Sequence, residues 1–330
     1  MAAGFVSRRK ALVAGAGAGT AAFPALGAAA DSFPRHAVRI VVPYGVGIGP
    51  DIVARSVAEH LAKEWDQPVM VDNKPGASGI VAFGDVRRAT ADGHTLYVAD
   101  TATLAVNPLL HAKLPYDVAK DLAPLSLLFH ATFLIWVGGA SRFRTLQDML
   151  DSARRVPGQV SYASLGNGHA SQVAVETMAR AAGVQLLHVP FKDAGSLFTA
   201  VAKADVDFTA FSMNTLAGMM ASGRMRPLAV AARKRLASHP DIPTLPEAGG
   251  PAVEMHPWAA MVGLAGTPQP VLDRLQRDIV AALGSAEVRS RAATAGFEIT
   301  PSTPQGLRAR IDADVAMYAP LVAEGRVAKY

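Results

Sequence analysis

The sequence contains no cysteine, which excludes disulfide bonds, thiolate catalysis and cysteine-ligated zinc or iron–sulfur sites. After residue 30 no apolar run is long enough to span a bilayer as a helix. The net charge is +5 over 330 residues, too modest for the basic surface of a nucleic-acid-binding protein. Such a chain must be stabilised by burial, and half of its residues are hydrophobic.

The sequence also lacks the short motifs of common hydrolases and zinc enzymes. There is no G-x-S-x-G and no H-E-x-x-H, and none of the nine histidines is paired with another at i, i+4 spacing. We therefore expect no catalytic residue, no metal site and no cofactor.

Residues 1–30 have the parts of an export signal. The basic group Arg8-Arg9-Lys10 precedes a small-residue apolar run that ends in Ala-Ala-Ala before Asp31. A membrane anchor is the alternative, but the run is rich in alanine and glycine and contains Pro24. Paired arginines are typical of the twin-arginine route. We predict a twin-arginine signal peptide and a mature periplasmic protein, whose net charge is three lower, at +2.

The remaining 300 residues exceed the usual size of one domain. Short apolar runs such as Val38–Val42 alternate with helical patterns, first in one series and then in a second from Val160. Alternation of this kind predicts parallel sheets covered by helices, and two series predict two α/β lobes. The segment Pro268–Ala323 is predicted to be mostly helical, with little strand.

Two glycine- and proline-rich stretches, Gly138–Gly139 and Gly249–Pro257, are candidate crossovers between the lobes. If both cross, the chain leaves the first lobe and later returns to it. We therefore predict a first lobe over residues 31–134, a second lobe over residues 135–254, and a mostly helical return to the first lobe over residues 255–330.

Four loops rich in small residues follow predicted strands. They are the first loop (Pro43–Asp51), the second loop (Asn73–Gly79), the third loop (Asp100–Thr103) and the fourth loop (Ser164–Ser171). Open α/β sheets bind ligands at the edge where such loops meet, and free N–H groups at a helix start bind anions. A dinucleotide site is the alternative, because Gly45, Gly47 and Gly49 resemble part of the nucleotide fingerprint. Pro50 stands where that fingerprint needs a further glycine.

These loops belong to a longer series of motifs. They include Asn73-Lys74-Pro75-Gly76-Ala77, Ala91-Asp92-Gly93-His94-Thr95-Leu96, Leu114-Pro115-Tyr116-Asp117, Gly166-Asn167-Gly168, His188-Val189-Pro190-Phe191-Lys192 and Pro240-Asp241-Ile242-Pro243-Thr244. In this order, from about Pro34 to the C-terminus, the chain resembles the Bug-type extracytoplasmic receptors of tripartite tricarboxylate transporters.

The resemblance implies a two-lobed, Venus-flytrap periplasmic-binding-protein fold of the α/β class, each lobe a mainly parallel sheet flanked by helices. It also implies a small organic anion, a carboxylate, held in the cleft and delivered to membrane transporter subunits. We expect a monomer that binds no nucleic acid. Two other functions stay open: a periplasmic enzyme acting on a small acid, and a ligand sensor for a signalling partner.

The resemblance also implies which residues line the cleft. They are Tyr44, Gly47, Gly49 and Asp51 in the first loop, Ala77 and Gly79 in the second, Thr101 and Thr103 in the third, Ser164, Gly166 and Asn167 in the fourth, and Phe191 as an aromatic lid. His169 and Ser212 are further candidates, although a solvated helix-start position is the alternative for His169. The chain departs from the family pattern at Ile48, Pro50, His169, Gln172, Asp193 and Ser212, which places the identity of the ligand in question.

Overall fold

The computed structural model describes residue 1, residues 33–47 and residues 49–330. Apart from Met1, the predicted signal peptide lies outside the described residues, as does Ile48. No helix within the described residues is long and apolar enough to cross a membrane.

The first lobe is built on a six-stranded sheet. Its strands are, in spatial order, β11 (Phe297–Ile299), β4 (Leu122–Ala131), β10 (Trp258–Leu264), β3 (Thr95–Asp100), β1 (Val38–Val42) and β2 (Val69–Asn73). β1 is flanked by two parallel neighbours, with Ile40 opposite Val71 on one side and Leu96 on the other. The loops after β1, β2 and β3 therefore meet at one edge of the sheet.

The second lobe is built on a five-stranded sheet. Its strands are, in spatial order, β7 (Leu187–Pro190), β6 (Ser161–Ser164), β8 (Phe208–Ser212), β5 (Phe133–Gly138) and β9 (Met225–Val230). The strands β7, β6 and β8 run parallel, so the fourth loop lies at the carboxyl edge of that group.

The two-lobed α/β fold predicted from the sequence is confirmed, but the sheets are mixed rather than mainly parallel. In the first lobe β10 lies antiparallel between β3 and β4, and β11 is antiparallel to β4. In the second lobe β5 lies antiparallel between β8 and β9. β5 is the strand with which the chain enters the second lobe, and β10 is the strand with which it returns to the first lobe. Each of the two is antiparallel to both of its neighbours in the sheet.

The chain crosses between the lobes at two adjacent places. β4 ends at Ala131 and β5 begins at Phe133, so the first crossing is a single residue. The returning segment runs beside it: the amide of Ala131 donates to the Pro257 carbonyl at 2.8 Å, and the amide of Phe133 donates to the Met255 carbonyl at 3.0 Å. Gly138–Gly139, a candidate crossover in the sequence, lies instead at the far end of β5 within the second lobe.

Helices cover both faces of each sheet. They are α1 (Gly49–Trp65), α2 (Ile80–Val86), α3 (Asn107–Leu110), α4 (Val118–Asp121), α5 (Leu146–Arg155), α6 (Ala170–Ala182), α7 (Ala194–Ala202), α8 (Met213–Ala221), α9 (Gln269–Gly284), α10 (Ala286–Thr294) and α11 (Pro304–Ala323). Alternate residues of β1 face opposite cores: Ile40 packs in the cluster that contains Leu61 of α1, and Val41 in the cluster that contains Phe83 of α2. The return segment is helical as predicted, but it also contributes β10 and β11.

Candidate functional site

A cavity of about 500 Å³ lies between the two sheets. The first, third and fourth loops reach it, together with residues from β4, β5, β8, β10 and β11. The lobes touch at its rim, where the Asn214 side chain of α8 donates to the carbonyls of Ala293 (3.2 Å) and Thr294 (2.9 Å) at the end of α10.

Six of the residues predicted to bind ligand line this cavity: Tyr44, Gly47, Gly49, Thr101, His169 and Ser212. The other eight, Asp51, Ala77, Gly79, Thr103, Ser164, Gly166, Asn167 and Phe191, are not among the residues that line it. Most of the eight are found in hydrogen bonds that hold the loops in place.

Asp51 does not line the cavity but holds the first loop in place through hydrogen bonds. Its carboxylate is almost completely buried and accepts hydrogen bonds from the Gly47 amide (2.8 Å), the Asn73 side chain (2.8 Å) and Arg55 Nε (3.0 Å). Burial by itself raises the pKa of Asp51, but the hydrogen bonds from Arg55, Gly47 and Asn73 outweigh burial and lower it. The Asn73 amide also donates to the Tyr44 carbonyl at 2.9 Å, so the second loop supports the first.

Tyr44 and Asp100 join the first loop to the third. The Tyr44 hydroxyl donates to Asp100 Oδ2, while Asp100 Oδ1 accepts from the amide and hydroxyl of Thr103 at 2.8 and 2.7 Å. Burial and the neighbouring Asp100 carboxylate raise the pKa of Tyr44 well above its ordinary value. Tyr44 is therefore a neutral donor, and Thr103 faces Asp100 rather than the cavity.

Thr101 ties the third loop to β10. Its hydroxyl accepts from the Trp258 amide at 3.2 Å, and both residues line the cavity. The indole of Trp258 donates in turn to the buried Asp314 of α11 at 2.6 Å. This part of the cavity wall is thus fixed by contacts to the return segment.

The second loop follows β2, at the edge of the first sheet. Ala77 and Ser78 have positive φ angles of 46° and 48°, a conformation that is uncommon for residues other than glycine. A Cβ at Gly79 would stand 2.6 Å from Thr103 Oγ1 and 2.7 Å from Tyr97 Oη. Glycine at position 79 thus allows the second loop to pack directly against the third.

The fourth loop is organised by a buried hydrogen-bond network. Ser164 Oγ lies 2.6 Å from His188 Nε2 and accepts from the Gly166 amide at 3.2 Å. Gln172, one of the departures from the family pattern, lies 3.2 Å from His188 Nδ1 and accepts from the Gly168 amide at 2.6 Å. These contacts give Gln172 a structural role behind the loop.

Asn167 is held by the C-terminal tail. Its side chain donates to the Ala328 carbonyl at 2.8 Å, and its carbonyl accepts from the Tyr330 hydroxyl at 3.4 Å. The Tyr330 amide donates to the Leu110 carbonyl of α3 at 2.9 Å. The tail thus connects the first lobe to the fourth loop of the second.

His169 presents a polar ring to the cavity at the start of α6. Its Nδ1 accepts the Ser171 amide at 3.1 Å, which makes His169 the N-cap of the helix. Burial lowers the pKa of His169 to about 4, although the Asp100 charge across the cleft acts in the opposite direction. A neutral ring whose Nδ1 accepts a hydrogen bond carries its proton on Nε2, so His169 can act as a donor.

Four helix starts converge on the cavity. Lining residues include Gly49 and Pro50 of α1, His169 and Ala170 of α6, Ala194 of α7, and Ser212, Asn214 and Thr215 of α8. Ser212 makes no capping bond to α8, because its hydroxyl lies 2.8 Å from that of Thr215. Helix N-termini carry partial positive charge, and their N–H groups bind anions where no side chain caps them. Because His169 caps α6 and Asp193 caps α7, the starts of α1 and α8 are the ones that suit an anion.

Other departures from the family pattern also have a structural setting. Pro50 occupies the first turn of α1 and lines the cavity. Asp193 caps α7 by accepting the Ser196 amide at 2.9 Å. Ile48 lies outside the described residues.

Sequence reasoning missed the aromatic wall of the cavity. Phe129, Phe133, Phe198, Phe211 and Phe297 line it with Trp258. Phe191, the predicted lid, packs instead beside the cluster of Leu134, Trp136 and their neighbours in the second lobe. The five phenylalanines come from three separate stretches of the chain, and each resembles an ordinary core residue in the sequence.

Three side chains outside the cavity, His36, Asp92 and His94, could be considered for a metal, since their ligand atoms lie within 4.8 Å of one another. However, His94 Nε2 accepts the Arg35 amide at 3.1 Å, so a neutral His94 carries its proton on Nδ1, 3.2 Å from Asp92 Oδ1. The His36 ring is stacked on that of His94 at 3.7 Å. These contacts describe a packed polar cluster rather than a chelating site.

Residues 53–325 match the family described as "Tripartite tricarboxylate transporter family receptor". Protein BugT of Bordetella pertussis is 28% identical over 300 residues, which cover 89% of this chain and 91% of BugT. Among solved structures, Rpa4515 of R. palustris with adipate is 26% identical, with a TM-score of 0.81 and coverage of 90% of this chain and 100% of that one.

MatC of Rhodopseudomonas palustris with bound malate is 27% identical, with a TM-score of 0.77 and coverage of 88% of this chain and 99% of that one. The family match covers most of the chain, and the two-lobed fold agrees with these structures. The chain therefore belongs to the Bug-type receptor family of tripartite tricarboxylate transporters.

Proposed function

We propose that the protein is an extracytoplasmic solute-binding protein that captures a small organic carboxylate in the interlobe cavity for a tripartite tricarboxylate-type transporter. Family membership supports this role. Relatives of the same fold were solved with adipate and with malate, which are both carboxylates.

The convergence of four helix starts on one cavity is the observation that carries the proposal. A carboxylate there would accept from N–H groups at the starts of α1 and α8, with the His169 Nε2–H and the Thr101 hydroxyl close by. Among the described residues that line the cavity, none is a lysine or an arginine. Helix starts can replace a basic side chain because their N–H groups are already oriented toward the ligand.

Ten of the fourteen residues predicted from the sequence would then divide into two groups. Those that line the cavity would contact the ligand or its water. Asp51, Thr103, Ser164 and Asn167 would act from behind, by fixing the loops that present the backbone donors.

Export and transporter contact complete the proposal. The twin-arginine leader would direct the chain to the periplasm, where it would meet the membrane subunits as a monomer. N-terminal sequencing of exported material tests the leader: we expect a mature chain that begins near Asp31, and a membrane-bound chain that retains residues 1–30 would contradict it.

A thermal-shift screen of the mature chain tests the binding function. Each organic acid is paired with its neutral amide, and a ligand at 100 times its Kd is expected to stabilise the protein by about 2.7 kcal/mol. Stabilisation by an acid but not by its amide supports carboxylate binding. If no acid stabilises the protein, or if the purified protein converts the acid, the proposal is wrong.

A further inference from the structure

The cavity has an apolar wall to which both lobes contribute. Phe129 and Phe297 come from the first lobe, with ring centroids 4.4 Å apart. Phe211 of the second lobe lies 5.8 Å from Phe133 and 4.9 Å from Phe198, the latter pair edge to face. These tilted and edge-to-face arrangements are those that aromatic rings prefer.

Two of these rings have surface left to bury. Phe129, Phe133 and Phe211 are buried, whereas Phe198 and Phe297 are only half-buried, although both line the cavity. They stand in different lobes, Phe198 on α7 and Phe297 on β11. A ligand with an apolar body placed between the lobes would cover both rings, and that burial favours binding.

The polar groups of the cavity suit one anionic group better than two, because the helix starts of α6 and α7 are already capped by His169 and Asp193. The helix starts provide backbone donors, but the described lining residues include no lysine or arginine and they do include the Asp100 carboxylate. Asp100 already accepts from Tyr44 and Thr103. A second carboxylate would lie near Asp100 or against the phenylalanine rings, where its loss of hydration is not compensated.

Because the cavity combines backbone donors at its helix starts with a wall of phenylalanine rings, we infer that the ligand is an acid with a single carboxylate on an aromatic body, rather than a dicarboxylate or tricarboxylate. The inference rests on the proposed function and names the substrate class of the same site. The carboxylate would bind at the helix starts, and the ring would lie between Phe198 and Phe297.

Calorimetric titration of the mature chain at neutral pH with phenylacetate, hexanoate, adipate and malate tests this. We expect the Kd for phenylacetate to be lower than that for each of the other three acids by about tenfold. Tighter binding of adipate or malate would leave the proposed function standing and overturn this inference. Equal binding of hexanoate would overturn the aromatic assignment, and binding of none of the acids would count against the proposed function as well.

Two variants test where the aromatic ring of the ligand binds. Phe198→Leu keeps an apolar side chain and is expected to weaken phenylacetate binding about tenfold while changing hexanoate binding little. Phe191→Leu is the matched control, because Phe191 is also half-buried and packs beside the same cluster but does not line the cavity. An equal loss in the two variants, or no loss in Phe198→Leu, would contradict the placement.

Discussion

Gly49, the first residue of α1, lies directly against the ring of Phe297, so closely that a Cβ atom at position 49 would overlap with that ring. The contact joins the first loop to the aromatic wall. It connects the helix start that would bind the carboxylate to a ring that would contact the ligand body.

Replacement of Gly49 by alanine is therefore expected to displace the Phe297 ring. We expect Gly49→Ala to weaken binding of the preferred acid about tenfold and to lower the free energy of unfolding by about 1–3 kcal/mol, a typical cost of overpacking. Titration and urea unfolding measure the two effects. Gly84→Ala is the control, because a Cβ there meets no atom within 4 Å, and alanine inside a helix should stabilise by about 0.5–1 kcal/mol.

The hydrogen bonds that Asp51 accepts from the first loop and its neighbours give a second prediction. Asp51→Ala leaves the Gly47 amide, the Asn73 side chain and Arg55 without their shared acceptor. We expect a loss of about 2–3 kcal/mol in the free energy of unfolding and weaker acid binding, measured by urea unfolding and calorimetry. Asp151→Ala is the control: it removes an exposed carboxylate paired with Arg154 and should cost much less stability than Asp51→Ala. Similar costs for both variants would show that Asp51 does not organise the loop.

His169 gives a pH dependence of known sign. Its pKa is about 4 in the folded protein and ordinarily 6.5, so between these values the unfolded chain binds more protons. The stability that neutral His169 allows is therefore present above pH 6.5 and is lost as the pH falls toward 4. In His169→Ser, which keeps a helix cap, the fall between about pH 7 and about pH 4.5 should be smaller by about 1–2 kcal/mol. Identical pH profiles in urea unfolding would contradict this prediction.

Contact between the lobes gives a further prediction. Asn214→Ala removes two hydrogen bonds from α8 to the end of α10, and the loss of both should weaken acid binding about tenfold by favouring the open form. Small-angle scattering at saturating acid should give a larger radius of gyration for Asn214→Ala than for the parent protein. Ser222→Ala is the control, because it removes hydrogen bonds to Gly218, Met219 and Arg224, all of which lie in the second lobe. If Asn214→Ala binds and scatters like that control, the rim contact has no part in closure.

Some elements could be predicted from the sequence because their signals are local. Val38–Val42 is β-branched at every position except Arg39, and the strand has those bounds. The helix Pro304–Ala323 ends where the predicted helical segment ends, with Thr303 as N-cap and proline in the first turn. By contrast β10 follows a proline- and glycine-rich segment and pairs with β3 and β4, far away in the chain. No local pattern indicates such pairing, so the sequence does not predict β10 after the crossover Gly249–Pro257.

The candidate site, like the fold, could be predicted from the sequence only in part. Loops after strands are local features, and the first, third and fourth loops do reach the cavity. Which of their residues face inward depends on tertiary contacts: Asp51 and Ser164 point to partners behind the loops. The aromatic wall depends on the packing of two lobes, and a phenylalanine on β8 or β11 has the same local pattern whether it faces a core or a cavity.

A crystal structure of the mature chain with the tightest-binding acid is the sharpest test of carboxylate binding by helix starts. We expect the acid inside the interlobe cavity, with its carboxylate within hydrogen-bond distance of backbone N–H groups at the starts of α1 and α8. An acid found elsewhere, or a carboxylate held by an arginine side chain instead of those N–H groups, would contradict it.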